Sequence, residues 1–591
     1  MSADTPSIYR EYFQRTNEYS AKYGSRSIVL MQVGAFYEVY GLKSPNSKQH
    51  THSNIDDFSR ICNLSVSDKK ILFDSGTIAK NSGCDSDGTR GTSDVSLKMN
   101  VVMAGFRDYT LDKYITKLTE SGYTVAVFVQ ETDTVANKPV IKRVLHTIYS
   151  PGTTVSYDTE TSTQITNNIM CVWFETYMPV LHKSVTSRVV EKSRETIVIG
   201  IAIANIFTGK TSIFEHQTPF YITPTTFDEL ERYVSVYSPS EIIVLSPFDS
   251  PMVDRILLFS GVQTTTIHTL DTRDILNDRI QNCTKQQYIR HILSTFYGEE
   301  SYDTCAELHT YQIATQAFCY LMNFIQEHNP NLVRNMEIPV FNNLSTRMLL
   351  ANHTLKQLNI IEDHESRSAG QYSSVSKFLN KCSTSIGRRQ FYTQLVNPVF
   401  DTDWLNREYG MIEYMIDPPQ YDMVEFLRKT LHSICDIEKL MRQLMVQKVH
   451  PASLYKLWTS IRTVQQLNMC IVDRPELCDY LCNSVRHKPA ENTSHDYIDR
   501  ITNQLTAHLE RVLVMDLCDG VQGFDVNMIR QGVSPLLDNT VQKYTESMEW
   551  YNEIRESLND MARSACGASN GSKPISRFGE KTADLDYVKI H

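Results

Sequence analysis

The chain has 591 residues, 41% hydrophobic and 21% charged, a composition that fits several globular domains with their own cores and excludes a disordered or membrane-embedded chain. Its formal net charge of -10 excludes a small basic nucleic-acid module, so any DNA contact has to rest on local basic patches and on enclosure of the duplex. Residues 1–125 are closer to neutral than the whole.

The polar start, Met1-Ser2-Ala3-Asp4-Thr5-Pro6, lacks the basic and apolar regions of a signal peptide, and no apolar run approaches about 20 residues. Ile28, Val29, Leu30, Met31 and Val33 then predict a buried strand ending at Gly34. The octapeptide Met31-Gln32-Val33-Gly34-Ala35-Phe36-Tyr37-Glu38 presents an aromatic ring and a carboxylate two residues apart at that strand end. An aromatic or apolar side chain is the kind of wedge that proteins insert between base steps, at a cost that is smallest where the step is damaged or mispaired. A neighbouring Glu repels phosphates, so its useful role on DNA is to accept a hydrogen bond from a base. The competing reading makes Phe36 one more core residue.

Residues 74–96, rich in Gly, Ser and Asp, predict an exposed inserted loop. Strands at 171–174, 197–206 and 210–214, a helix at 227–236 and a strand at 242–245 predict a second α/β domain, with an insertion at 183–194. Strands and helices alternate to about residue 265, and helices follow. Ile498, Ile501, Leu505, Leu509 and Val512 recur at three- and four-residue steps, as do Val541, Tyr544, Met548, Tyr551 and Leu558, which places each set on one face of a long helix. Residues 520–532 form the break between them.

Thirteen cysteines, odd in number and without a repeating spacing, fit reduced thiols inside a cell and not a disulfide framework. Cys478, Cys482 and His487 come nearest to a metal set, but no fourth ligand accompanies them, and buried thiols are the better reading.

Further strings follow in order: Ala104-Gly105-Phe106 with residues 111–118 and 122–130; Ser150-Pro151-Gly152-Thr153; residues 344–359; and residues 374–379 with Thr384, Gly387-Arg388-Arg389 and Asn397-Pro398. Together with the octapeptide they resemble the MutS family of DNA mismatch repair proteins, in which an F-Y-E or F-F-E triplet follows a Met-x-x-Gly strand end. The resemblance runs over essentially the whole chain. One departure is plain: the family's Pro-x-His turn is here Arg107-Asp108-Tyr109. The two insertions and Lys22-Tyr23-Gly24 before the first strand are reminiscent of the divergent MutS proteins of large DNA viruses.

The resemblance implies a mismatch-recognition domain at 1–130, a ribonuclease H-like connector at 131–265, a helical core and lever domain at 266–548, and the lever end with the start of a clamp at 549–591. The fold class is therefore α/β in the first half, a mixed-sheet domain plus connector, and all-α in the second. It also implies an intracellular protein, not secreted, that binds mismatched double-stranded DNA and no membrane, and forms a homodimer at full length. DNA-binding residues are expected at Gly34, Phe36, Tyr37 and Glu38, with no catalytic, cofactor or metal residues in this chain.

MutS proteins also carry an ATPase domain whose P-loop cradles phosphates and whose hydroxyl holds Mg2+. The nearest string here, Gly567-Ala568-Ser569-Asn570-Gly571-Ser572-Lys573-Pro574, has the wrong spacing and a Pro after the Lys. ATP and Mg2+ are therefore expected only in a part beyond this chain. The last residues, 586–591, look like a clamp strand without partners, so the chain is expected to be the N-terminal portion of a longer polypeptide, or one half of a split protein.

Two other functions compete. A ribonuclease H-like fold can hold catalytic metal carboxylates, yet Asn205 stands where an Asp is expected before the Thr-Gly turn, and an amide cannot offset the charge of Mg2+ as a carboxylate does. The other alternative is a helical scaffold that binds only protein partners.

Overall fold

In the computed structural model the chain divides into two units, Met1–Val449 and His450–His591. The described residues are 5–43, 50–74, 98–135, 138–155, 166–178, 195–264, 266–298, 305–341, 348, 350–362, 367–482, 494–521, 523, 526–566, 576–578 and 588–590. The insertions expected at 74–96 and 183–194, apart from Asp74, and the glycine-rich string 567–574 lie outside them. No described helix is long and apolar enough to cross a membrane.

The first unit begins with a seven-stranded mixed sheet. Its strands are β1 (Ser27–Val33), β2 (Phe36–Lys43), β3 (His50–Thr51), β4 (Ser67–Asp74), β5 (Lys98–Arg107), β6 (Thr124–Val135) and β7 (Lys138–Tyr149), in the order β4-β5-β2-β1-β6-β7 with β3 beside β2. β1 runs parallel to β6 and antiparallel to β2, so β1 and β2 form a hairpin at the sheet centre. Helix Thr5–Tyr23 covers one face, where Tyr9 and Tyr12 meet the Tyr40 ring edge-on at 5.0 and 5.1 Å. Ile55 and Phe58 of helix Ile55–Cys62 and Ile115 and Leu118 of helix Leu111–Glu120 are fully or almost fully buried in the same core. The sheet continues past residue 130, because β6 runs to Val135 and pairs with all of β7.

A second sheet of six strands follows: β8 (Asn168–Tyr177), β9 (Thr196–Asn205), β10 (Thr211–Pro219), β11 (Glu241–Ser246), β12 (Thr266–Asp271) and β13 (Val340–Phe341), in the order β12-β11-β8-β9-β10-β13. β8, β9 and β10 form an antiparallel meander, and β11 and β12 add in parallel. This is an α/β sheet buried on both faces, which explains its continuous apolar runs. Ile169, Cys171 and Trp173 share a core with Phe318 and Leu321 of helix Gln312–His328. Met170, Val172 and Phe174 share another with Leu230 and Tyr233 of helix Asp228–Tyr237 and with Val253 and Ile256 of helix Ser250–Phe259. A Cβ at Gly200 would lie 2.5 Å from the Ala314 nitrogen, so this glycine lets the helix start lie on β9. The sheet also outruns residue 265, since β12 pairs with β11 along its whole length.

A buried carboxylate fastens the turn between the two sheets. Glu241, fully buried at the start of β11, accepts from the Ser150 hydroxyl (2.5 Å), the Gly152 amide (3.0 Å) and lies 2.6 Å from His268 Nε2. A Cβ at Gly152 would lie 2.6 Å from that carboxylate, which explains the glycine in Ser150-Pro151-Gly152-Thr153.

The helices after residue 350 begin on side-chain caps that satisfy free amides: Ser374 accepts from Lys377, Thr384 from Gly387, Asp401 from Asp403 and Trp404, and Asp436 from Lys439. Arg389, from the Gly-Arg-Arg string, donates to both Asp436 oxygens at 2.7 Å and to Glu438 at 2.7 Å. Arg232 reaches from the second sheet's helix to the Leu350 carbonyl and the Asn397 side chain, both at 2.9 Å.

In the second unit, helix Pro451–Val472 packs along helix His495–Val512, with Trp458 donating to Glu510 and Asn468 to Asp499. Helix Pro535–Cys566 runs unbroken for 32 residues, straight through residue 549. The terminal strand differs from expectation: β15 (Val588–Ile590) has a partner, pairing antiparallel with β14 (Ser576–Phe578) in a two-stranded sheet.

Candidate nucleic-acid interface

The β1–β2 hairpin turns on two residues, Gly34 and Ala35, with Val33 paired to Phe36. Gly34 adopts φ +60°, which a side chain would strain, although the space around it is open. Polar side chains inside apolar strands hold the turn in place. The Gly34 amide donates to Gln130 Oε1 at 3.1 Å, and the Gln130 amide donates to Gln32 Oε1 at 2.9 Å.

Phe36 opens β2 and is 42% exposed, so it is not a core residue. Its cross-strand partner is Arg107, whose guanidinium carbon lies 5.8 Å from the ring centroid. The departure from the family turn, Arg107-Asp108-Tyr109, is joined to the hairpin by the Asp108 amide, which donates to the Ala35 carbonyl at 3.1 Å. Tyr109 beyond it is 76% exposed.

Glu38 shares the Phe36 face but sits inward, at 9% exposure. The Tyr40 hydroxyl donates to Oε2, and Lys69 Nζ lies 3.9 Å from Oε1. Lys69 lies within the register shift between Asp68 and Leu72, where β4 pairs with β5. Gly105 stands opposite Glu38, and a Cβ there would meet the Tyr37 carbonyl at 2.7 Å and Glu38 Cγ at 3.2 Å. Burial, followed by the Glu38 charge, raises the Tyr40 phenol far above its ordinary value, so it stays a donor to the carboxylate.

Tyr37 does not belong with the exposed residues. Strand alternation turns it to the opposite face, where it is 5% exposed and lies 6.0 Å from the Phe106 ring. It anchors the hairpin in the core. Sequence reading missed Arg107, Lys69 and Gln130. The period of two running from Phe36 through Tyr40 could have flagged the Tyr40 contact, but Arg107 and Lys69 arrive from other strands.

The other candidates do not assemble. Asn205 Oδ1 accepts the amides of Phe207 and Thr208, both at 3.0 Å, so it closes the β9–β10 turn. Cys478 Sγ lies 2.8 Å from His495 Nε2, while His487 and the Cys482 side chain lie outside the described residues. Among the described residues no group of three His, Cys, Asp or Glu could hold a metal ion. The Gly567-to-Pro574 string lies outside the described residues.

Family models match the chain twice: MutS domain I over residues 77–158 and MutS domain III over residues 353–587. The first match takes in β5 to β7 but begins after the hairpin. A putative DNA mismatch repair protein mutS homolog of Acanthamoeba polyphaga mimivirus is 23% identical over 489 residues, 79% of this chain and 39% of the relative. A mitochondrial DNA mismatch repair protein mutS homolog of Sarcophyton glaucum is 22% identical over 74% of this chain and 43% of its own. The DNA mismatch repair protein MutS of Thermodesulfovibrio yellowstonii is 23% identical over 78% and 46%. The chain thus spans about two fifths of the length of the curated relatives it matches. It is a MutS-family protein carrying that family's domains I and III.

Proposed function

We propose that this chain reads mismatched DNA for a mismatch repair protein, by inserting Phe36 from the minor-groove side at a weakly stacked step. The observation that carries this reading is the position of Phe36: an aromatic ring, 42% exposed, at the tip of a hairpin braced by Gln32, Gln130 and the buried Tyr37. A rigid mount matters because the wedge has to unstack a base step, at a cost of a few kcal/mol. A mispaired step costs less, and the difference is the discrimination.

Glu38 accepts a hydrogen bond from the displaced base through Oε1, since Tyr40 occupies Oε2. Tyr40 and Lys69 hold the carboxylate away from phosphates until a base reaches it. The relatives named above as DNA mismatch repair proteins support the reading at the level of the family. ATP and Mg2+ would act in a further domain of the full-length protein, which would work as a homodimer.

The test is fluorescence anisotropy of the chain on a G·T duplex and on its matched counterpart across a salt series. Tighter binding to the mispaired duplex, with a log-log salt slope of several ions, is expected. Absence of DNA binding would contradict the proposal and favour a scaffold that binds only proteins.

A further inference from the structure

Resting on that reading, the hairpin tip carries a second reader. Arg107 is exposed at the end of β5, paired with Phe36 across the strands with its guanidinium carbon 5.8 Å from the ring centroid. Among the described residues no carboxylate lies within ion-pair distance of its guanidinium. The nearby Asp108 does not supply one, because its Oδ1 turns back to accept the Tyr109 amide at 2.8 Å. The Arg107 carbonyl accepts from the Thr110 hydroxyl at 2.6 Å, which fixes the backbone under the side chain. Glu38, by contrast, has its charge answered inside the protein by Tyr40 and Lys69. Among the described residues the Arg107 guanidinium is thus left without a carboxylate partner, and it lies 5.8 Å from the centre of the ring that enters the stack.

We infer that Arg107 is a groove-reading residue: with Phe36 inserted, its guanidinium donates to the minor-groove acceptors of the base pair beside the weak step. The chemistry selects the neighbour. A·T and T·A pairs present only A N3 and T O2 acceptors in the minor groove, whereas a G·C pair adds the guanine amine, a donor that opposes a guanidinium. Narrow A·T-rich minor grooves also concentrate negative potential and draw Arg into them. The ligand class is thus a mispair flanked by A·T pairs, and Arg107 makes recognition depend on the flank as well as on the mispair. Lys cannot replace it, because a point charge lacks the planar fork that both stacks on Phe36 and spans two acceptors.

The experiment measures affinities of the full chain for four duplexes, G·T or matched at the centre, with A·T or G·C pairs on both sides. Wild type, Arg107→Ala and Arg107→Lys are compared after unfolding curves confirm equal stability. The expected result is a mismatch preference in wild type that is greater with A·T flanks, and a loss on the order of tenfold in Arg107→Ala confined to the A·T-flanked mispair. Arg107→Lys is expected to keep the wild-type salt slope without restoring the flank preference. An equal loss on all four duplexes, or full rescue by Lys, would assign Arg107 to the phosphates and overturn the inference while leaving the wedge standing. No change in either variant would overturn it as well. If wild type shows no mismatch preference on any flank, the wedge reading itself fails, and this inference with it.

Discussion

The Tyr40 hydroxyl donates to the Glu38 carboxylate two residues earlier on the same strand. Tyr40 is 2% exposed and wedged between Tyr9 and Tyr12, so the donor cannot follow the carboxylate outward. Glu38 is in this way aimed from below, and the aim depends on an aromatic cluster in the core. Tyr40→Phe keeps the packing and removes the bond. A hydrogen bond to a charged group contributes about 1.5 to 3 kcal/mol, so the urea midpoint should fall accordingly. Mismatch discrimination should fall too, and unchanged discrimination in a destabilised protein would separate Glu38 from recognition.

Gly105 predicts a different failure. Its added Cβ would meet the Tyr37 carbonyl at 2.7 Å, a backbone atom that can only move with the hairpin. Gly105→Ala should cost about 1 to 3 kcal/mol as overpacking. The hairpin shift should also weaken binding to mispaired DNA more than to matched DNA. A variant of wild-type stability and discrimination would show that β2 and β5 yield more easily than their register indicates.

Acid should loosen the junction of the two sheets. Burial raises the Glu241 carboxyl, but the bond and charge of His268 outweigh it and hold the group below its ordinary value. A depressed carboxylate contributes stability that is full above the unfolded pKa and lost as pH falls through the folded one. His328 is pushed down to about 4, chiefly by burial, so the fold favours its neutral ring and loses stability as pH drops from about 6.5 towards 4. Over that interval His328 alone accounts for about 3 kcal/mol. The urea midpoint should therefore decline steadily below pH 6.5, and His328→Phe, which keeps a ring beside Tyr23 and Phe324, should flatten the decline. A flat wild-type profile would contradict this. Glu241→Gln should cost about 1 to 3 kcal/mol, because the amide cannot replace the carboxylate that accepts from the Ser150 hydroxyl and the Gly152 amide.

Much of this architecture was legible in the chain. The strand before Gly34 and those at 171–174, 197–206 and 242–245 announce themselves because strands buried on both faces need unbroken apolar runs. Phe36 was legible as a candidate, and alternation then decides between it and Tyr37: one residue is exposed at the tip and its neighbour has to face the core. What could not be read depends on strands distant in sequence. Lys69 reaches Glu38 from β4, Arg107 reaches Phe36 from β5, and Gln130 reaches Gly34 from β6. That the two sheets run on past residues 130 and 265 was hidden for the same reason, since β7 and β12 are defined by pairing with earlier strands and not by their own composition. The terminal strand looked unpartnered because β14 is only three residues long.

The most direct measurement is the mismatch preference of Phe36→Ala. Phe36 is partly exposed, so the variant should fold with nearly wild-type stability, and its binding can be compared without correction. Stacking of a base on an aromatic ring is worth about 1 to 3 kcal/mol, so the ratio of G·T to matched affinity should fall roughly ten- to a hundredfold. Affinity for the matched duplex should scarcely change. A folded Phe36→Ala protein that keeps the wild-type ratio would contradict the wedge.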